Sequence, residues 1–102
     1  MATTSELTQR IETVLHGVTA ETDFLPELAA FWEDESDANR YVWYVEWREL
    51  MARLEDVEAA YRAGAMTDEQ RERYHTLRQK LRTHLPLLEQ LGLTTPSVPL
   101  ED

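Results

Sequence analysis

Two stretches of apolar residues, spaced alternately three and four positions apart, constrain the fold of this chain most strongly. They lie on either side of Gly64 and consist of Trp43, Trp47, Leu50, Leu54, Val57 and Tyr61, and of Tyr74, Leu77, Leu81, His84, Leu88 and Leu91. This spacing places each set along one side of an α-helix, as in a coiled coil. The pattern therefore predicts two long helices, at about 37–63 and 68–91.

The residues between the two stretches are typical of a tight connection. Gly64 can adopt the left-handed conformation that ends many helices. Thr67, followed three residues later by Gln70, has the spacing of a capping box at the start of the next helix. At the other end, Ser36 is a suitable N-cap for the first long helix. We therefore expect an antiparallel helical hairpin that turns at Gly64.

The expected register of this hairpin follows from the position of the turn. Folding the chain back between the two helices aligns five apolar layers, which include Tyr74 against Val57 and His84 against Trp47. Pro86 removes one backbone hydrogen bond from the second long helix. Because the apolar stripe continues past this proline, the sequence predicts a kink there and not a break.

The N-terminal third of the chain predicts two shorter helices. Leu7, Ile11, Val14, Leu15 and Val18 recur at helical spacing, and Gly17 weakens the end of that segment. Asp23 is a candidate N-cap for a second segment, with Pro26 in its first turn, where proline is tolerated. We expect these two helices to cover the open end of the hairpin.

The segment 41–47 is apolar on almost every side of its helix and must be covered on more than one face. The second long helix covers one face, and either the N-terminal helices or a second subunit must cover another. This requirement predicts a homodimer and leaves open whether the aromatic side chains are core or interface. The candidate partner-binding or pocket residues are Trp43, Tyr44, Trp47 and His84.

His84 occupies a core-facing position of the second stripe, opposite Trp47. One interpretation is a histidine at the edge of the core, stacked on the indole or hydrogen-bonded. The other is a pH-sensitive or ligand-contacting group in an aromatic pocket. A single histidine without an orienting carboxylate does not form a catalytic site.

A metal site is the alternative to an interaction surface. Glu72 and His75 form a Glu-x-x-His motif, which places a carboxylate and an imidazole on one face of a helix, as in di-iron bundles. Such bundles carry their ligands inside the core, whereas Tyr74 and Leu77 occupy the core-facing positions here. The alternative interpretation is that Glu72 and His75 lie on a solvent-exposed side of the helix and bind no metal.

Composition excludes several classes of function. Twenty acidic and 10 basic residues give a formal net charge of -10, which disfavours nucleic acids and anionic membranes. The ordinary interpretation of this charge is solubility, and the alternative is a basic protein as partner. The chain contains no cysteine, no phosphate-binding glycine loop and no catalytic triad motif, so we expect neither an enzyme nor a cofactor. The N-terminus lacks the pattern of a signal peptide, which favours the cytoplasm.

These patterns predict an all-α protein, a small helical bundle built on the long hairpin. We expect a single helical domain at 1–93 and an extended or disordered C-terminal tail at 94–102, where Pro96 and Pro99 interrupt helix formation. The expected function is non-enzymatic protein–protein interaction or assembly by an acidic helical module. The alternative is a metal- or small-molecule-binding helical bundle.

Overall fold

The computed structural model of the protein describes residues 4–101 and is helical without any strand in that range. The helices are α1 (Thr4–Ala30), α2 (Asp37–Arg62), α3 (Asp68–Thr83) and α4 (Leu85–Leu91), and a 3-10 turn (Trp32–Asp34) joins α1 to α2. The predicted all-α class is confirmed. None of these helices combines the length and the apolar character that crossing a lipid bilayer requires.

The N-terminal region is one helix of 27 residues, so the expectation of two shorter helices was wrong. The buried stripe of α1 continues from Val18 through Thr22 to Leu25 without a change of period. Thr22 is fully buried, and its hydroxyl donates to the carbonyl oxygen of Val18 at 2.6 Å. A threonine whose hydroxyl is satisfied within its own helix occupies a core position as an apolar residue would.

The residues expected to start a separate helix have other roles within α1. The Asp23 carboxylate accepts a hydrogen bond from Lys80 Nζ at 3.0 Å and thus ties α1 to α3. Pro26 lies inside the helix on its exposed side, where it removes one backbone hydrogen bond. Leu25 and Leu28 on either side are buried, and their burial holds the helix through the proline.

The expected local signals around α2 and α3 are confirmed. The Ser36 side chain accepts a hydrogen bond from the backbone N–H of Asn39 and caps α2. Gly64 has φ 71° in the turn after α2, the conformation for which glycine was expected. Thr67 and Gln70 form a complete capping box at the start of α3.

The helix expected at 68–91 is broken at His84 and not merely kinked at Pro86. Pro86 has no N–H with which to continue the hydrogen-bond ladder of α3, and α3 ends at Thr83 with His84 as its C-cap. A new helix then begins at Leu85 with Pro86 in its first turn, where the missing N–H needs no partner. The junction redirects the chain at the end of α3.

α1 packs along both α2 and α3, and these two helices approach each other less closely than either approaches α1. Bulky side chains lie between α2 and α3, among them Tyr61 and Tyr74, whose ring centroids are 5.4 Å apart. Large contact residues increase the distance between helix axes. The main buried residues are Ile11, Leu15, Val18, Leu25, Leu28, Trp47, Met51, Leu54, Val57, Leu77, Leu81, Leu88 and Leu91.

The residues after α4 run without helix along the bundle and contact both α2 and α3. Leu93 and Val98 are buried. The carbonyl oxygen of Thr94 accepts a hydrogen bond from Trp47 in α2, and that of Pro99 accepts one from Arg78 in α3. This C-terminal tail therefore fills space between the two helices and contributes to the core.

Candidate interaction surface

Aromatic side chains from the end of α1 and the start of α2 meet at one end of the bundle. The rings of Phe24 and Trp43 are stacked, with centroids 5.8 Å apart and planes at 12°. Phe31 lies 6.3 Å from Phe24, and Tyr44 meets Trp32 edge to face at 5.8 Å. The hairpin-like return of α2 along α1 creates this cluster.

Arg40 fixes the turn that carries this cluster. Its Nη2 donates to the carbonyl oxygens of Trp32 at 2.8 Å and of Glu33 at 3.0 Å. The guanidinium also lies over the Trp32 ring, 5.7 Å from its centroid, in a cation–π contact. The Trp32 carbonyl also accepts the Glu35 N–H, so Arg40 adds to the hydrogen bonds of the 3-10 turn and ties the turn to the start of α2.

The structure leaves four large apolar side chains of this end exposed. They are Phe31 (40%), Tyr41 (67%), Val42 (49%) and Tyr44 (39%), and we call them the aromatic surface. Acidic residues border it, because Glu33, Asp34 and Asp37 are all exposed. An apolar patch with a polar border has the anatomy of a protein–protein interaction site.

The four candidate residues of the sequence analysis take different positions. Trp47 is 1% exposed, and its Nε1 donates to the Thr94 carbonyl at 2.7 Å, so it belongs to the core. Trp43 is half-buried, and Tyr44 lies on the aromatic surface. His84 is half-buried at the junction of α3 and α4, where its Nδ1 lies 2.7 Å from the Lys80 carbonyl oxygen.

The candidate metal ligands Glu72 and His75 are both exposed on α3. The Nε2 atom of His75 lies 3.3 Å from Nε2 of Gln79, one turn further along the helix. Within residues 4–101, no three histidine, aspartate or glutamate side chains come close enough together to hold a metal ion. The geometry of α3 therefore gives the metal alternative no support.

A buried polar network between α2 and α3 was not predicted from the sequence. The Tyr74 hydroxyl, in a residue with no exposed surface, donates to Glu58 Oε1 at 2.5 Å. Arg62 donates to the other carboxylate oxygen at 2.6 Å. The guanidinium of Arg78 lies over the rings of Tyr61 and Tyr74, at 5.0 and 4.7 Å. The network joins the two helices through charge-assisted contacts.

Burial raises the pKa of the Tyr74 hydroxyl far above its ordinary value, and the hydrogen bond to Glu58 adds to this effect. The hydroxyl therefore stays protonated and acts as a permanent donor. Periodicity indicates that Tyr74 faces the core, but it does not reveal that Glu58 and Arg78 are buried beside it. The sequence signal that could have revealed them is the presence of two tyrosines, Tyr61 and Tyr74, in the apolar stripes. Their rings can shield a cation and a carboxylate from water.

Comparisons with protein-family models, with curated proteins and with solved structures gave no match for this chain.

Proposed function

We propose that this chain is a non-enzymatic interaction or assembly protein that associates with a second copy of itself through the aromatic end of the bundle. The observation that carries the proposal is the concentration of exposed large apolar side chains. In the described part of the chain, the exposed large hydrophobic residues all lie between residues 31 and 44 and form the aromatic surface.

The rigidity of the aromatic surface supports a role in binding. Tyr41, Val42 and Tyr44 project from one helix, and the contacts of Arg40 hold the preceding turn. The backbone that carries them is therefore already ordered before a partner binds, which lowers the entropic cost of association. Tyrosine is also among the residues that most often dominate the binding energy of protein interfaces.

The proposal includes the antiparallel coiled-coil-like pairing of α2 with α3 that the two apolar stripes predict. The contacts of Tyr74 with Glu58 and Tyr61 support it, because they join residues on either side of the Gly64 turn. This pairing would give the assembly a stable scaffold away from the aromatic end.

Sedimentation velocity over a wide range of concentrations tests the proposal. The wild-type chain should move from a species near 11.9 kDa towards twice that mass as its concentration rises. The variant Tyr41→Ser/Val42→Asn should remain at the lower mass. Both positions are exposed, so its helical content and melting temperature should match those of the wild type at concentrations where both chains are monomeric.

A matched control places a similar double change on the exposed face of α3. Arg71→Ser/Glu72→Ser leaves the net charge unchanged and should associate as the wild type does. A wild-type chain that stays at the monomer mass at about 100 μM, well above common dimer affinities, would refute the proposal.

A further inference from the structure

An open groove runs between α1 and α2 along one side of the bundle. One stretch of about 600 Å³ lies beside residues 7–14 of α1, and another of about 480 Å³ lies beside residues 17–21. Arg53 of α2 lines both stretches, and Trp43, which stacks on Phe24, joins the second stretch to the aromatic end of the bundle. The groove therefore extends the exposed apolar area along the helices.

The two helices run antiparallel with a regular register. Phe24 lies opposite Trp43, and Gly17 lies opposite Leu50 near the middle of the groove. Towards the start of α1, the lining includes the cations Arg10 and Arg53. Towards the end of α1, it includes the anions Glu21 and Glu46. Arg53 lines both stretches, but the lining of the first has a net positive charge (Arg10 and Arg53 against Asp56), and that of the second has a net negative charge (three glutamates against Arg53).

The remaining charges of the groove do not cancel this arrangement. Arg53 contacts Glu49 at 3.4 Å, but both side chains are more than 60% exposed, so this pair is weak. Glu49 itself lines the acidic half and adds to its charge. Asp56 is the one carboxylate among the residues lining the basic half.

The acidic half contains a repulsion within the chain. Burial raises the pKa of Glu21, and the negative charge of Glu46 across the groove raises it further. Two carboxylates that face each other in a partly desolvated groove are unfavourable. A cation placed between them would remove this repulsion.

Gly17 lines the groove at a position where packing within the chain leaves room for a larger residue. It lies inside α1, where glycine is destabilising relative to alanine by about 1 kcal/mol. A Cβ atom built there would meet only Leu50 Cδ2, at the ordinary contact distance of 3.9 Å. Packing within the chain therefore does not require glycine, whereas a second backbone crossing at this level would.

We propose that the α1–α2 groove is a self-association interface, in which a second copy of this chain packs through a two-fold axis that crosses the helices at the Gly17–Leu50 level. The axis lies in the plane of the interface, so α1 packs antiparallel on α1 and α2 on α2. The proposal rests on the proposed function, because it extends the same interface from the aromatic surface along the groove and specifies its symmetry.

This symmetry makes the charges of the two copies complementary across the interface. A rotation about such an axis exchanges the two halves of each groove, as an isologous interface requires. Arg53 of the partner subunit then lies between Glu21 and Glu46, and each chain offers its own Arg53 in return. Leu50 of each chain lies at the level of the axis, where it meets Leu50 of the partner subunit and forms an apolar centre between the four helices.

The closing experiment is a charge reversal measured by sedimentation equilibrium. Glu46→Arg and Arg53→Glu should each weaken the dimer at least about tenfold, because each places like charges in contact at two symmetric positions. The double variant Glu46→Arg/Arg53→Glu should restore the wild-type dissociation constant to within about threefold. Both residues are exposed in the single chain, so all three variants should fold.

Two controls separate this pattern from a general effect of charge. The single variants change the net charge in opposite directions, so repulsion between whole molecules would weaken one dimer and strengthen the other. Arg48→Glu makes the same charge change as Arg53→Glu at an exposed position of α2 that does not line the groove. It should leave the dissociation constant unchanged.

Gly17→Ala provides an independent test of the interface. It should raise the dissociation constant about tenfold through contact between the added methyl groups at the axis, while it raises the melting temperature of the dilute monomer. A dimer that responds to Tyr41→Ser/Val42→Asn but to neither charge reversal nor Gly17→Ala would overturn the groove interface and leave the proposed function standing. A chain that never associates would overturn both.

Discussion

The hydrogen bond between Tyr74 and Glu58 allows a sharp test of how this fold is held together. Tyr74→Phe removes one hydroxyl and keeps the ring that contacts Tyr61 and Arg78. Tyr74 has no exposed surface and Glu58 is 8% exposed, so water cannot easily replace the lost donor. The substitution therefore isolates the contribution of a single buried, charge-assisted contact.

The expected loss can be estimated from this geometry. A hydrogen bond to a charged group contributes roughly 1.5–3 kcal/mol to the free energy of unfolding. Arg62 still donates to the Glu58 carboxylate in the variant, which favours the lower half of that range. For a domain of this size, a loss in the lower half of that range should lower the melting temperature by roughly 6–18 °C.

Urea denaturation and thermal melting, both followed by circular dichroism, provide the measurement. Tyr41→Phe is the matched control, because it removes a hydroxyl from a residue that is 67% exposed and should change the stability very little. If Tyr74→Phe destabilises the protein no more than Tyr41→Phe does, the buried network contributes no stability and the reasoning is wrong.

Three further predictions follow from single contacts. Trp47→Ala should lower the free energy of unfolding by roughly 3–5 kcal/mol in urea, and a loss below about 1 kcal/mol would show that this position is not core. Glu12 has a pKa below its ordinary value, chiefly through its hydrogen bond from Arg73, so its stabilisation is present above the ordinary pKa and lost as the pH falls through the lowered one. Glu12→Gln should therefore destabilise the protein at pH 7 and make progressively less difference in acid melts, and an equal loss at every pH would contradict this cause. Gly64→Ala should cost about 1–2 kcal/mol because φ is 71°, although the site has room for a methyl group, and equal melting temperatures would contradict the conformational argument.

The parts of the fold that the sequence predicted correctly depend on local chemistry. Ser36, Gly64 and Thr67 act within three or four residues of their own positions, so their roles can be inferred without knowledge of the tertiary structure. The same holds for the period of the apolar stripe in α2. Local signals of this kind determine where helices begin and end.

The single long α1 was missed because one core position holds a polar residue. Thr22 interrupts the apolar stripe in the sequence but not in the structure, where its hydroxyl bonds to Val18. Asp23 and Pro26 then resemble the start of a new helix. Only the burial of Leu25 and Leu28 against the rest of the bundle decides between one long helix and two shorter ones.

The candidate site was predicted only in part for a related reason. Periodicity shows that segment 41–47 is apolar all round, but it cannot tell which side α1 will cover. The structure divides the segment, with Trp47 in the core, Trp43 half-buried and Tyr41 exposed. The burial of Arg78 depends on the tail reaching α3, a contact between distant parts of the chain that no local pattern encodes.

The hydrogen bond from Trp47 to Thr94 also makes the protein its own optical probe. The C-terminal tail covers the Trp47 indole, and the Thr94 carbonyl accepts a hydrogen bond from its N–H. The indole therefore emits from an apolar site only while the tail is packed against it. Because Trp32 and Trp43 also fluoresce, the measurement needs a Trp32→Phe/Trp43→Phe background. In that background, opening of the tail alone would admit water to the Trp47 ring and shift its emission to the red, while the far-ultraviolet spectrum of the helices stays unchanged. Local and global unfolding would thus give separate signals in one sample, without any label.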